Sequence, residues 1–172
     1  MEGMFAYSTL SGSAEDPKKV VEQIIREKRR LKVCSLSHTF NSHLLWAHYA
    51  SGFDGLAIEV EIPDHREQVK RIVYRNLFTG VSICHVSDPE RTARQILSSK
   101  HREWAYEQEV RVLHEGEWFP LTLPVQRIIV GHRMQPALFE ALRIVCHHKA
   151  IRLCRTGIGD EGIDADVVPW SE

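Results

Sequence analysis

Three observations predict an α+β fold, with mixed, mostly antiparallel sheet and flanking helices. Helix-type and strand-type runs follow one another without regular βαβ alternation. Capping residues mark helix starts at Asp16-Pro17, at Asn41-Ser42, and at Ser87 or Asp88 before Pro89. Short runs of alternating apolar and polar residues lie between the helical stretches. The length of 172 residues suits one domain spanning 1–172. A hydrophobic content of 43% and a charged content of 26% are those of a globular chain. The formal charge of -1 offers no general attraction for nucleic acid or an anionic membrane.

Residues 1–13 show no periodicity and are expected to be loosely ordered. A helix is predicted over 13–30, where Asp16 caps, Pro17 suits the first turn, and Val20, Val21, Ile24 and Ile25 form an apolar stripe. Lys28, Arg29 and Arg30 complement the exposed carbonyls of its last turn. Residues 32–37, K-V-C-S-L-S, read as a strand. Val33, Ser35 and Ser37 share one parity, and Cys34 and Leu36 the other. A short helix through 44–50 ends at Gly52 and Gly55. Trp46 and Tyr49, three residues apart, are expected on one face of it.

The run 55–62 is the clearest strand, with Leu56, Ile58, Val60 and Ile62 on one side. Further strands are predicted over 68–74 and 81–86. The helix over 88–99 turns Ala93, Ile96 and Leu97 inward. Trp118, Phe119 and Leu121 are expected to cover a core edge. A strand over 125–130 stops at Gly131. A helix over 136–148 is expected to bury Leu138, Phe139, Leu142 and Val145, and a strand follows over 150–155. The Gly-rich acidic end, 157–172, is expected to be loosely ordered.

The stretch 100–114, K-H-R-E-W-A-Y-E-Q-E-V-R-V-L-H, holds the strongest functional signal. Its first half reads as a helix end anchored by Trp104 and Tyr106. Its second half alternates, with Val110 and Val112 on one side and Glu107, Glu109 and Arg111 on the other. Neighbouring carboxylates repel, and burial raises the cost of each charge. That face therefore looks into water, with Arg111 neutralising both acids, or into a site that uses them.

Other chemistries lack their signals. Cys34, Cys84, Cys146 and Cys154 form no C-x-x-C and read as reduced thiols of a cytoplasmic protein. Ten histidines are present, but without H-E-x-x-H or a cysteine pair no metal site is expected. No dinucleotide or P-loop glycine motif occurs, and no G-x-S-x-G. No apolar run approaches a membrane span, and the first ten residues lack the basic-then-apolar pattern of a secretory signal.

Several segments occur in a telling order: S-L-S at 35–37, L-L-W-A-H-Y-A at 44–50, G-L-A-I-E-V at 55–60, V-Y at 73–74, K-H-R-E-W-A-Y-E-Q-E-V-R at 100–111, and I-I-V-G at 128–131. Together they resemble a widespread bacterial family of unknown function. Its members carry a C-F-S strand, a M-W-A-H-Y-A segment and a W-x-Y-E-x-E-x-R segment in that order. The likeness covers about 33 to 131. Such members begin with a Tyr-His-Tyr-Thr-like strand and an N-D-P-x-E loop. Here residues 1–5 resemble the tail of that loop, which implies that an N-terminal strand is missing.

The ordered Ser-x-Ser and Glu-x-Glu strands also resemble ADP-ribosyltransferases of the Arg, Ser-Thr-Ser, Glu-x-Glu type, though the strand with the NAD-gripping Arg or His has no counterpart. This second likeness implies NAD as substrate. It casts Glu109 as the catalytic acid, Glu107 as its substrate-side partner, and Ser35 and Ser37 as the serines that hold the nicotinamide-side pocket together. Trp46, His48, Tyr49, Tyr106 and Arg111 join them as candidate cofactor-binding residues. Trp46 or Tyr49 would stack on a ring, and Arg111 would bind phosphate or hold Glu109 ionised. Two alternatives are a non-catalytic nucleotide- or protein-binding module and an inactive truncated member that forms a homodimer. On the catalytic reading, Glu109→Gln is expected to abolish NAD turnover without changing thermal stability.

Overall fold

The computed structural model describes residues 5–8, 16–62, 67–76, 79–82, 86–121 and 123–169, with the backbone alone for 5–8, 79 and 82. The fold is α+β, with mixed sheets. In chain order the elements begin β1 (Phe5–Ser8), α1 (Pro17–Arg30), β2 (Lys32–Ser37), α2 (His43–Tyr49), β3 (Leu56–Glu59), β4 (Val69–Arg71), β5 (Val73–Arg75) and β6 (Thr79–Ser82). They continue with α3 (Pro89–Leu97), β7 (Ser99–His101), a 3-10 turn (Arg102–Glu107), β8 (Glu109–His114), β9 (Arg127–Val130), α4 (Pro136–His148), β10 (Arg152–Gly159) and β11 (Gly162–Val167). They form two compact units, Met1–His38 with Asp64–Phe119, and Thr39–Pro63 with Pro120–Glu172.

In the first unit β8 is the centre of an antiparallel sheet ordered β2-β8-β4. Its residues are buried on both faces, as a central strand's must be when both sides are covered. Helix α1 starts where Asp16 accepts a bond from the Lys18 N–H at 3.0 Å. Its stripe, Val20 and Ile24, packs on Ala93 and Ile96 of α3. Helix α3 is capped in the same way, with Asp88 accepting from the Arg91 N–H at 2.9 Å. Strand β5 pairs in parallel with β7, and β1 with β6.

The second unit is a four-stranded sheet ordered β11-β10-β9-β3. Strands β9 and β10 are parallel, and the other neighbours antiparallel. Both faces are covered. Trp46 and Ala50 meet Ile129, Cys154 and Ile163 on one side. Cys146 of α4 meets Val130, Met134 and Leu153 on the other. This explains why Ile128, Ile129 and Val130 of β9 are all apolar, since they serve both layers. Gly131 closes β9 against the loop after α2. A Cβ there would stand 2.0 Å from the Phe53 carbonyl oxygen, so only glycine fits.

Several expectations change. The expected strand over 68–74 is two strands, because the Ile72 N–H bonds Glu109 while the Val73 N–H turns to Ser98. The expected helix end over 100–106 is β7 followed by a 3-10 turn. Residues 5–8, read as unstructured, form β1, and 157–167 belong to the β10–β11 hairpin. Strand β3 stops at Glu59, short of the expected 62. Helix α4 buries Cys146 rather than Leu138 and Val145, which are 56% and 52% exposed. Trp118 is 85% exposed and covers no core edge. Residues 1–4, 9–15, 83–85 and 170–172 lie outside the described residues, so the expectations there end with the sequence. Cys34, Cys146 and Cys154 are free thiols, and Cys84 lies outside the described residues. Among the described residues no helix is long and apolar enough to cross a membrane.

Candidate functional site

The pairing of β2 with β8 places Ser35 opposite Arg111 and Ser37 opposite Glu109. Side chains directly opposite one another in an antiparallel pair lie on the same face, and diagonal neighbours are within reach. The serines and Glu109, separated by more than seventy positions in the sequence, therefore share one surface of one sheet. Ser35 lies diagonal to Glu109 across this pair, where its hydroxyl favours the ionised carboxylate. The Ser37 hydroxyl donates instead to the Glu107 carbonyl at 2.7 Å, pinning the turn that precedes β8.

Glu107 does not lie on β8. It ends the 3-10 turn, and Gln108 then takes a left-handed conformation (φ 44, ψ 48) before β8 begins. That reversal still delivers Glu107 to the Glu109 side, where Lys100 bridges the two acids. The Lys100 ammonium bonds Glu107 Oε2 and lies 3.0 Å from Glu109 Oε2. Arg111 grips Glu109 from the other direction, Nε to Oε1 at 2.6 Å and Nη2 to Oε2 at 3.2 Å. Its Nη1 donates to the Leu97 carbonyl at 2.6 Å. Glu107 and Glu109 are each 4% exposed and Arg111 only 1%. Two acids thus face two cations in a buried, neutral quartet, which answers the cost of placing like charges together.

Burial pushes the Glu109 carboxyl up, but hydrogen bonds from Arg111, Ser35 and Lys100 outweigh it and hold the group below the ordinary carboxylate range. Tyr74 completes the cluster, its phenol oxygen accepting from the Glu109 backbone N–H at 2.8 Å. Burial raises the phenol's pKa. The donated bond opposes this, and the nearby carboxylates add to it. Tyr106, half-buried in the turn, is raised likewise, first by burial and then by Glu107. Trp104 is 39% exposed, its ring centroid 5.2 Å from the Lys100 ammonium. Ser35 and Ser37 are exposed, so the quartet is bordered by solvent along β2.

The structure therefore brings together Ser35, Ser37, Glu107, Glu109 and Arg111, with Tyr106 beside Glu107. Trp46, His48 and Tyr49 belong to the second unit. Trp46 is 2% exposed, stacked on Phe53 at 5.3 Å with 7° between the rings, and its indole N–H donates to the Phe40 carbonyl at 2.8 Å. Tyr49 is 66% exposed, with the His48 ring edge-on at 6.4 Å. The expected common face of Trp46 and Tyr49 is thus divided between core and solvent.

Sequence reasoning missed Lys100 and Tyr74. Neither carries a local pattern, and both reach the quartet through the β5–β7 pair, in which Tyr74 stands opposite Lys100. Among the described residues no three His, Cys, Asp or Glu side chains are grouped as metal ligands would be. The chain matches no protein-family model, no curated protein and no solved structure.

Proposed function

We propose that this chain is an NAD-binding domain of the ADP-ribosyltransferase or NAD-glycohydrolase type, acting through Glu109. The observation that carries the reading is the β2–β8 register, which sets Ser37 opposite Glu109 and Ser35 diagonal to it, with Glu107 delivered beside Glu109 by the preceding turn. Cleaving the glycosidic bond of NAD builds positive charge on the ribose. An ionised carboxylate beside that carbon stabilises the transition state more than the ground state. Arg111 keeps Glu109 ionised and oriented, and with three of its bonds spent inside the protein it is not a phosphate ligand in this reading. Glu107 serves as the substrate-side acid and Tyr106 borders it. Trp46 acts as core rather than as a stacking surface. The reaction class calls on no metal, nucleic acid or membrane, and the free thiols suit the cytoplasm.

One observation favours a second reading. Every Glu109 oxygen is already hydrogen-bonded, as in a module that binds a nucleotide without turning it over. Homodimer formation fits either reading and has a candidate surface. On α4, Leu138, Ile144 and Val145 lie on the outward face, at 56%, 66% and 52% exposure.

Calorimetric titration with NAD and ADP-ribose tests the reading, using wild type and Ser35→Ala. Ser35 is exposed, so its loss alters the border of Glu109 without stranding a buried charge. Binding of both ligands, weakened about tenfold or more in Ser35→Ala, is the expected result. No binding of either ligand by wild type rejects it.

A further inference from the structure

Helix α4 has two apolar sides, and only one of them meets the sheet. Phe139, Leu142 and Cys146 pack with Val130 of β9 and Leu153 of β10. Turned away from them, Ala137, Ala141, Ile144 and His148 recur at steps of four, three and four residues, the spacing of a single helix face. All four are exposed, Ile144 at 66%. Leu138 and Val145, at 56% and 52% exposure, flank this strip on one side. The exposed Glu140 and His147 flank it on the other. The core has no use for this second apolar face, and such a face on a helix marks a contact surface.

The strip is complementary to itself when reversed. Consider two copies related by a two-fold axis, their α4 helices antiparallel, with Ala141 of one opposite Ile144 of the other. Ala137 then comes opposite His148. Each layer sets a small side chain against a large one, so the helix axes can approach to about 8 Å without voids or clashes. Leu138 meets Val145 on one flank, and Glu140 meets His147 on the other. A parallel pair would set Ala141 on Ala141 and Ile144 on Ile144, a gap followed by a clash. It would also crowd His147, His148 and Lys149 of both copies at one end, whereas the antiparallel pair separates them and opposes the helix dipoles.

We infer that the outward face of α4 is a two-fold interface with a second copy of this chain, packed antiparallel with Ala141 against Ile144. This interface is independent of the NAD chemistry proposed above. Helix α4 has 13 residues. One such helix from each copy makes a contact below the roughly 1,200 Å² of a standard interface, so the dimer is weak and concentration-dependent.

Sedimentation equilibrium of the full chain, from about 1 μM to about 500 μM, tests the association. Wild type is expected to pass from monomer toward dimer across this range. Ala141→Glu, at an exposed position and to a good helix former, is expected to keep its Tm and to weaken association at least about tenfold. Orientation is read by mild oxidation of Ala137→Cys/His148→Cys beside the two single variants, with the linkage mapped by mass spectrometry. Within one helix these positions lie about 16 Å apart and cannot be joined. A 137–148 disulfide between copies of the double variant, with no 137–137 or 148–148 linkage in the single variants, is the expected result. The crosslink decides the matter even if the glutamate variant fails to fold. Monomer at every concentration, or a dimer indifferent to Ala141→Glu, overturns the interface. Linkage of like positions in the single variants overturns the antiparallel arrangement, and the inference with it.

Discussion

Arg111 reaches back along its own strand and forks Glu109, with Nε 2.6 Å from Oε1 and Nη2 3.2 Å from Oε2. Both side chains are almost wholly excluded from water. A buried pair of this kind adds little net stability over a well-packed apolar pair, but breaking it leaves a charge with no water and too few partners. Arg111→Met is therefore expected to cost about 3–5 kcal/mol in urea unfolding. A loss below about 1 kcal/mol would mean that the pair is solvated, as exposed ion pairs are. Glu109→Gln, expected from the sequence to leave thermal stability unchanged, removes one charge from this buried quartet. The variant leaves two cations facing one acid and is expected to melt lower.

Acid should act on the same group. Glu109 titrates below its ordinary value of 4.5 when folded, with Lys100, Arg111, Glu107 and Tyr74 facing it. Near that pH the unfolded chain binds more protons than the folded one, so stability rises with pH. The Glu109 contribution is complete above the unfolded value and is lost as pH falls through the lower folded value. Urea midpoints taken from about pH 7 to about pH 3 should show the gap between wild type and Glu109→Gln closing on acidification. A gap that stays constant argues that Glu109 is protonated in the native protein.

Trp46 and Tyr49 offer a sharper contrast than their spacing suggests. Trp46 is buried against Phe53, Ile129 and Cys154, with its indole N–H satisfied. Trp46→Ala is expected to cost about 3–5 kcal/mol. Tyr49→Ala, at an exposed position, should stay within about 0.5 kcal/mol. Equal costs in chemical denaturation would contradict the division of this helix between core and solvent.

Gly131 is held by its neighbour rather than by its own backbone. Its N–H donates to the Gly55 carbonyl at 2.9 Å, and the Phe53 carbonyl occupies the space of a Cβ. Gly131→Ala must push the 53–55 loop off the end of β9. The expected loss is about 1–3 kcal/mol, seen as a lower Tm. An unchanged Tm would show that the loop yields freely.

These sites also show how far the sequence could be read. The limits of β2 and α4 are those read from the sequence, and Asp16 caps α1 as expected, while of Ser87 and Asp88 it is Asp88 that caps α3. The shared parity of Ser35 with Ser37, and of Glu109 with Arg111, is legible in the same way. That the two strands pair is a tertiary fact, suggested by the order of the motifs but written in neither strand. Lys100 carries no signal of its own because it sits on β7 beside Tyr74, and only the 3-10 turn and left-handed Gln108 after it, which have no periodicity, bring Glu107 and Glu109 back to it. The strand over 68–74 breaks at Ile72 because its N–H goes to Glu109 of β8 while the next N–H goes to Ser98 at the end of α3, just before β7. Helix α4 misled because apolar residues surround most of it, so periodicity does not single out the side that Cys146 buries.

The most direct measurement of the central claim is nicotinamide release from NAD by the purified wild-type protein, with Glu109→Gln assayed well below its own Tm. Release by wild type, reduced at least about a hundredfold in the variant, is the predicted result. No release by wild type, or equal release by a folded Glu109→Gln protein, would contradict a catalytic role for Glu109.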